Sequence, residues 1–464
     1  MIASNLGCPR IGRARELKTA LEQYWAGQIP EAALREVGRG IRRESWSLQV
    51  ELGIEHVPSN DFSLYDHVLD MATVVGAVPS RFAPGPGVAP DLAVYFAMAR
   101  GASSGPGAER PVPAPLRMTK WFDTNYHFLV PELEPDTVFG LASTKPIDEF
   151  LEAKALGIHT RPVLLGPVSF ALLSRIDRAG TDADPVAGVV DRLVPVYADL
   201  LERLERAGAD WVQMDEPGLA LELAPTVLRA LVHAYERLGR RSARPRLLLA
   251  SYFGGLGDNL ETVLRLPVGA LHLDLVRAPE TLAPAVAQAP PTLSLSLGVV
   301  DGRNVWRTDL EGALHLVETA CERLGAERVL VAPSCSLLHC PIGSRCGAPG
   351  GRRTSTGPWT PSASPPAAPA TAPRSTPTCA TRTSTRSSTR SPAWMPTCCR
   401  SRAPAPAWPS SGRCGGAPTP TTSGPACTTS MPRTSPARAR SRRACRPLSR
   451  SCRSSGSGSI PTAG

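Results

Sequence analysis

The sequence predicts an α/β fold, a (β/α)8 barrel over residues 1–342, followed by a disordered Arg/Pro/Ser/Thr-rich tail over 343–464. Short apolar runs alternate with helical patterns roughly every 30 to 40 residues, the signature of parallel βαβ units. Polar groups directly follow several of the runs, as they do where barrel strands end at a ligand-binding face. Beyond Ile342 both patterns stop and the composition changes abruptly.

Taken in order, Leu6-Gly7-Cys8 faintly resembles a lipoprotein cleavage site, but no basic segment and apolar stretch precede it, so no targeting signal is expected. Arg10, Arg13, Arg15 and Lys18 form a basic cluster that suits either an anionic ligand or a solvated helix face. Ile29-Pro30-Glu31 opens a helix carried by Leu34, Val37, Ile41, Leu48 and Leu52, with Pro and an acid in its first turn. The segment Phe82 to Pro115, rich in Gly and Pro, reads as a long connection outside the barrel. Lys120-Trp121-Phe122 joins a cation to aromatic surface and fits either a planar anionic ligand or a packing anchor with an exposed Lys.

Strand candidates are Pro162–Leu165, Trp211–Met214, Leu247–Ala250, Ala270–Leu273, Leu293–Val299 and Val329–Ala332, continuous runs of the kind buried on both faces. Between the first two, Ala187 to Ala207 shows one apolar stripe closed by Gly208, with Pro195 expected to kink it. Asp215-Glu216-Pro217 at a strand end is either an acid/base pair at the barrel mouth or a carboxylate capping the next helix. Gly254-Gly255-Leu256-Gly257 lacks the residues of a phosphate loop and reads as turn chemistry. Cys335, His339 and Cys340 raise zinc, although adjacent His and Cys rarely face one metal.

The formal charge of +10 is misleading until it is located. Residues 343–464 hold 18 Arg and no Lys, Asp or Glu, which leaves the first 342 residues acidic, with 33 basic against 41 acidic side chains. The tail also holds 20 Pro and 40 Ser+Thr, too little apolar surface to offset the entropy of ordering it. Eight of the twelve Cys and three Trp lie there, an odd content for a linker. Joining the last base of each codon to the first two of the next turns all eleven into Leu, Val or Met, so the tail is expected to be out-of-frame translation. The other four Cys suit a reducing cytoplasm, and no apolar run approaches the roughly 18 residues of a membrane helix. A cytoplasmic monomer is the expectation.

Seven segments recur in order: Leu6–Gly12 with Arg15–Lys18, Tyr65–Leu69, Met118–His127, Leu164–Val168, Gln213–Pro217, Asp301–Arg307 and Ala332–His339. Together they closely resemble the N-terminal half of the cobalamin-independent methionine synthases over about residues 3 to 342. The resemblance implies a two-barrel enzyme that moves a methyl group from 5-methyltetrahydropteroyltri-L-glutamate to L-homocysteine, without cobalamin. It maps folate binding onto Arg15, Glu16, Leu17, Lys18 and Lys120, of which Arg15, Lys18 and Lys120 are cations suited to a string of carboxylates. It places the family's zinc, held by His, Cys, Glu and Cys, in the second barrel, where zinc binds the homocysteine sulfur as thiolate. The counterpart positions here read Ser251, Phe253, Asp274 and Cys335, and Phe253 cannot bind a metal. No zinc site, no homocysteine site and no catalytic residue is therefore expected in this chain, and activity alone is not expected. The alternative is a non-catalytic folate-polyglutamate-binding barrel whose basic tail contacts nucleic acid.

Overall fold

A computed structural model describes residues 1–82, 90–101, 113–134, 137–177, 184–240 and 244–341. The chain divides into the units Met1–Pro361 and Ser362–Gly464. Every described residue belongs to the first, and the expected tail over 343–464 lies outside the described residues.

Eight strands form one parallel sheet: β1 (Ile2–Ala3), β2 (Val57–Ser59), β3 (Thr160–Leu165), β4 (Trp211–Asp215), β5 (Arg246–Ala250), β6 (Ala270–Asp274), β7 (Ser294–Val300) and β8 (Val329–Pro333). Starting from β1, the sheet runs through β8 and back in descending order to β2. Its two ends meet where Ser4 pairs in parallel with His56. There Asn5 N donates to His56 O at 3.1 Å and His56 N donates to Ala3 O at 3.0 Å. The sheet is thereby closed into an α/β barrel, as the sequence predicts.

The connections carry α1 (Glu16–Trp25), α2 (Glu31–Glu51), α3 (His67–Val74), α4 (Leu92–Arg100), α5 (Lys145–Ala155), α6 (Pro167–Leu173), α7 (Pro185–Ala207) and α8 (Pro225–Gly239), followed by three further helices. Helix α2 starts directly after Pro30, and α7 ends at Gly208, whose φ of 98° needs a residue without a Cβ. Helix α7 runs through Pro195.

The six later strands lie on the predicted apolar runs, whereas β1 and β2 are only two and three residues long and leave no run to read. The stretch from Phe82 to Pro115 is more than a connection. Asp91 accepts from Val94 N and starts α4, which buries Leu92, Tyr95, Phe96, Met98 and Ala99. That face packs with Leu17, Leu21 and Leu34 of α1 and α2 in a cluster of its own. The flanking segments 83–89 and 102–112 lie outside the described residues.

Alternate residues of the strands face in opposite directions. In β4, Val212 and Met214 join the main core under the helices, while Gln213 and Asp215 point into the barrel, Gln213 Nε2 donating to Asp215 Oδ1 at 2.6 Å. Arg161 of β3 fills the space beneath them, 2% exposed. Its guanidinium donates to Ser4 Oγ at 3.0 Å, Asn5 O at 2.7 Å and Gln213 Oε1 at 2.7 Å. One side chain thus ties the short β1 end to β3 and β4 from within.

Arg161→Met removes the cation but leaves the Asn5 carbonyl and the Gln213 and Ser4 side chains without their donor. A loss of about 3 kcal/mol or more is expected, read as a lower urea midpoint at unchanged m-value. An unchanged midpoint would show that β1 needs no such tie.

Candidate site at the barrel mouth

Asp215 stands at the end of β4, where Tyr252 OH donates to its Oδ2 at 3.0 Å and Gln213 holds the other oxygen. Burial pushes its pKa up to about 7. It lines a cavity of about 40 Å³ with His67, Tyr252, Ser336 and His339, space for water rather than for a substrate.

Glu216 does not share that mouth. It turns into the helix layer, accepting from Val168 N at 3.1 Å, Ser169 N at 2.6 Å and Tyr235 OH at 3.1 Å. It therefore caps α6, the helix before it in the chain, instead of the next one. A Cβ on Gly166 would come within 2.2 Å of this carboxylate, so glycine is required for the approach.

Above the cavity a set of rings packs together, beside an open pocket of about 540 Å³ lined by Tyr126, Arg277, Asp301, Arg303 and His339. His339 stacks on Trp121 at 6.4 Å and meets Phe253 at 5.0 Å and Tyr126 at 5.9 Å, while His67 abuts Trp121 at 4.5 Å. Trp121 is wholly buried, so the packing-anchor reading holds for it, while Lys120 beside it is exposed. Phe122 and Phe253 have φ of 51° and 75°, backbone that side chains rarely adopt, and their rings lie 5.7 Å apart. The plug is tied down by Asp123, which accepts from Arg303 at 2.9 Å and also pairs with Arg277. Both arginines pull its pKa below the ordinary value, against the effect of burial.

The four counterparts of the zinc ligands do gather near this end, but their chemistry does not fit a metal. Asp274 is occupied by Phe253 N and Arg277 N, each at 3.0 Å, and Phe253 offers a phenyl ring. Burial raises the Cys335 thiol well above its usual value, which disfavours the thiolate a metal needs. His339 adds no ligand set with Cys335 and Cys340: among the described residues no group of three His, Cys, Asp or Glu could hold a metal ion.

The basic cluster takes a different form. Arg15 precedes α1 with φ 63° and is exposed, and Lys18, one turn on, is exposed beside Glu22 at 3.6 Å. Glu16 folds back to accept from Ala14 N at 3.0 Å. Leu17 is fully buried, so its side chain anchors the helix and only its backbone remains for a ligand. Lys120 ends the hairpin strand Met118–Lys120, paired with His127–Leu129. Sequence reasoning missed Arg161 and assigned no role to His67, although His67 and His339 both sit inside the recurring segments.

Burial, with positive neighbours second, lowers His67 and His339 to about 3. Both are neutral when folded, whereas the unfolded chain binds their protons below about pH 6.5. Their contribution is complete above pH 6.5 and is lost as pH falls toward 3. His339→Phe keeps a ring and removes one such proton, so its stability should fall less steeply over that window, by up to about 1.4 kcal/mol per pH unit. Parallel urea-stability curves for the two proteins would contradict the assignment.

Comparison with known proteins agrees with this geometry. Residues 2–325 match the profile described as the cobalamin-independent synthase, N-terminal domain. A 5-methyltetrahydropteroyltriglutamate–homocysteine methyltransferase of Caulobacter vibrioides is 54% identical over 351 residues, covering 73% of this chain and 44% of the relative. The protein of that name in Acidiphilium cryptum is 55% identical over 342 residues, covering 74% and 43%. The chain thus spans less than half the length of these curated relatives. Among solved structures, a chain described as a vitamin-B12-independent methionine synthase from Listeria monocytogenes shares the fold, with a TM-score of 0.51 at 16% identity over 73% of this chain and 92% of that one. With a closed barrel, the recurring segments and a profile match over most of its length, the chain belongs to the cobalamin-independent methionine synthases, of which it carries the N-terminal domain.

Proposed function

We propose that this barrel is the folate-polyglutamate-binding half of methyl transfer from 5-methyltetrahydropteroyltri-L-glutamate to L-homocysteine, and that the 464-residue chain does not perform the transfer by itself. The observation that carries this reading is the contrast between the two ends of the site. At α1, buried Leu17 fixes a helix whose exposed Arg15 and Lys18 stand one turn apart, Lys18 held only by a solvent-exposed pair with Glu22 that a ligand carboxylate can replace. At the barrel mouth, rings pack over Asp215, and the positions matching the zinc ligands hold a phenyl ring, a carboxylate engaged by two backbone amides and a protonated thiol.

Arg15 and Lys18 contribute charge and Glu16 holds the turn before α1 through Ala14 N. Lys120 supplies a further cation from the hairpin. Residues 343–464 are read as out-of-frame translation with no part in binding. The curated relatives carry the two substrates in their names, and cobalamin has no role in the family.

Binding of 5-methyltetrahydrofolate as its triglutamate and as its monoglutamate tests the reading. The R15A/K18A variant should weaken the triglutamate by about 10-fold or more, at about 1.5 kcal/mol per charge-assisted bond, and barely change the monoglutamate. Equal losses for both ligands, or none for either, would contradict the assignment.

A further inference from the structure

Outside the barrel, α2, α5 and α4 enclose a second cavity of about 280 Å³ that the folate reading does not use. Its floor is apolar and aromatic: Phe62, Leu64, Leu92 and Tyr95. Gly38 of α2 lets Phe62 lie close, since a Cβ there would be 3.2 Å from the ring. The two walls carry opposite charge. Helix α2 presents Arg35, Arg39 and Arg42, and the facing wall presents Asp70 together with Asp148, Glu149 and Glu152 of α5.

Part of this charge is committed. Arg42 donates to Glu152 at 2.6 Å, and Lys145 pairs with Glu149 at 3.1 Å and Asp70 at 3.3 Å. Tyr95 OH donates to Asp70 Oδ1 at 2.6 Å. Arg42 also lies 3.6 Å from Glu149 Oε1, which leaves the other oxygen of Glu149 and the carboxylate of Asp148. Glu149 is 5% exposed and its Oε2 has no hydrogen-bond partner, a costly state for a buried acceptor. Asp148 is exposed and accepts only from Thr144 Oγ1, at 2.8 Å, among its side-chain bonds. Arg35 and Arg39 pair with Glu31 and Glu36 on the half-exposed rim, contacts worth little and easily exchanged.

A ligand matching this cavity is small, has no net charge, and carries an anion and a cation at one end and an apolar body at the other. We propose that the α2–α5 cavity binds an α-amino acid with an apolar side chain. Its carboxylate meets Arg35 and Arg39, its ammonium meets Asp148 and Glu149, and its side chain lies on Phe62, Leu64, Leu92 and Tyr95. A net charge near zero excludes a polyphosphate, and the volume, at the low end of ligand cavities, suits one amino acid rather than a peptide.

Isothermal titration of the full chain with L-leucine, L-methionine and L-phenylalanine tests this, with leucinamide and isocaproate as probes lacking the carboxylate or the ammonium. Saturable binding of at least one amino acid is expected, with leucinamide and isocaproate each weaker by about 10-fold or more. The R35Q/R39Q variant touches only rim pairs and should lose about 10-fold for the amino acid while keeping its thermal midpoint; Asp148→Asn should do the same for the ammonium. No saturable binding of any of the three to the folded chain would overturn the proposal. So would equal affinity for leucine and leucinamide, or unaltered affinity in both variants.

Discussion

A guanidinium placed inside a barrel has to replace the partners it lost in water, and both terminal nitrogens of Arg161 find theirs on or beside other strands. Burial lowers its pKa only to about 10, so it is a cation at neutral pH. Its bonds to Ser4 and Asn5 fix a first strand of two residues that pairing alone would hold weakly. Through Gln213 the same network reaches Asp215 and then Tyr252 at the mouth. A connected set of polar groups thus runs inside the barrel from Ser4 and Asn5 to Tyr252 at the mouth. This network is a structural element of the barrel, and the proposed folate cations lie outside it, at α1 and the hairpin.

The mouth follows from that constraint. Asp215, which would be the natural acid at a strand end, has both oxygens engaged and a cavity of water size above it. Burial makes it cheaper for the aromatic residues to pack over the opening than to leave it wet, and Asp123 holds Arg277 and Arg303 across the rim. Glu216 serves the fold as well, offering a carboxylate to the amides that begin α6.

Much of this was legible in the residues. The six later strands announce themselves because both faces are apolar or internal, so a continuous run survives. β1 and β2 do not, since their identity comes from pairing with distant partners rather than from any run. Arg161 falls outside the apolar run that starts at Pro162, because a charged residue reads as a boundary; only the closed barrel shows that it points inward to acceptors from other strands. Helix α4 was hidden by its Gly- and Pro-rich flanks although Asp91 marks its start. The orientation of Glu216 was not readable either, because adjacent residues at a strand end face opposite ways and its partners lie in the preceding helix α6 and in α8. Leu17 illustrates the limit of a motif: four consecutive positions read as one binding element, yet the side chain at one of them is a buried anchor.

The net positive charge lies in residues 343–464 and not in the barrel sequence. An acidic folded unit with a few exposed cations at α1 suits a polyanionic folate tail, whereas the overall +10 would have pointed to nucleic acid. The central claim is that this barrel binds and does not catalyse. The most direct test is methionine formation from homocysteine and 5-methyltetrahydropteroyltriglutamate by the purified 464-residue chain with zinc added. No methionine above the enzyme-free rate is the predicted result. Turnover that depends on the chain and on zinc would contradict it.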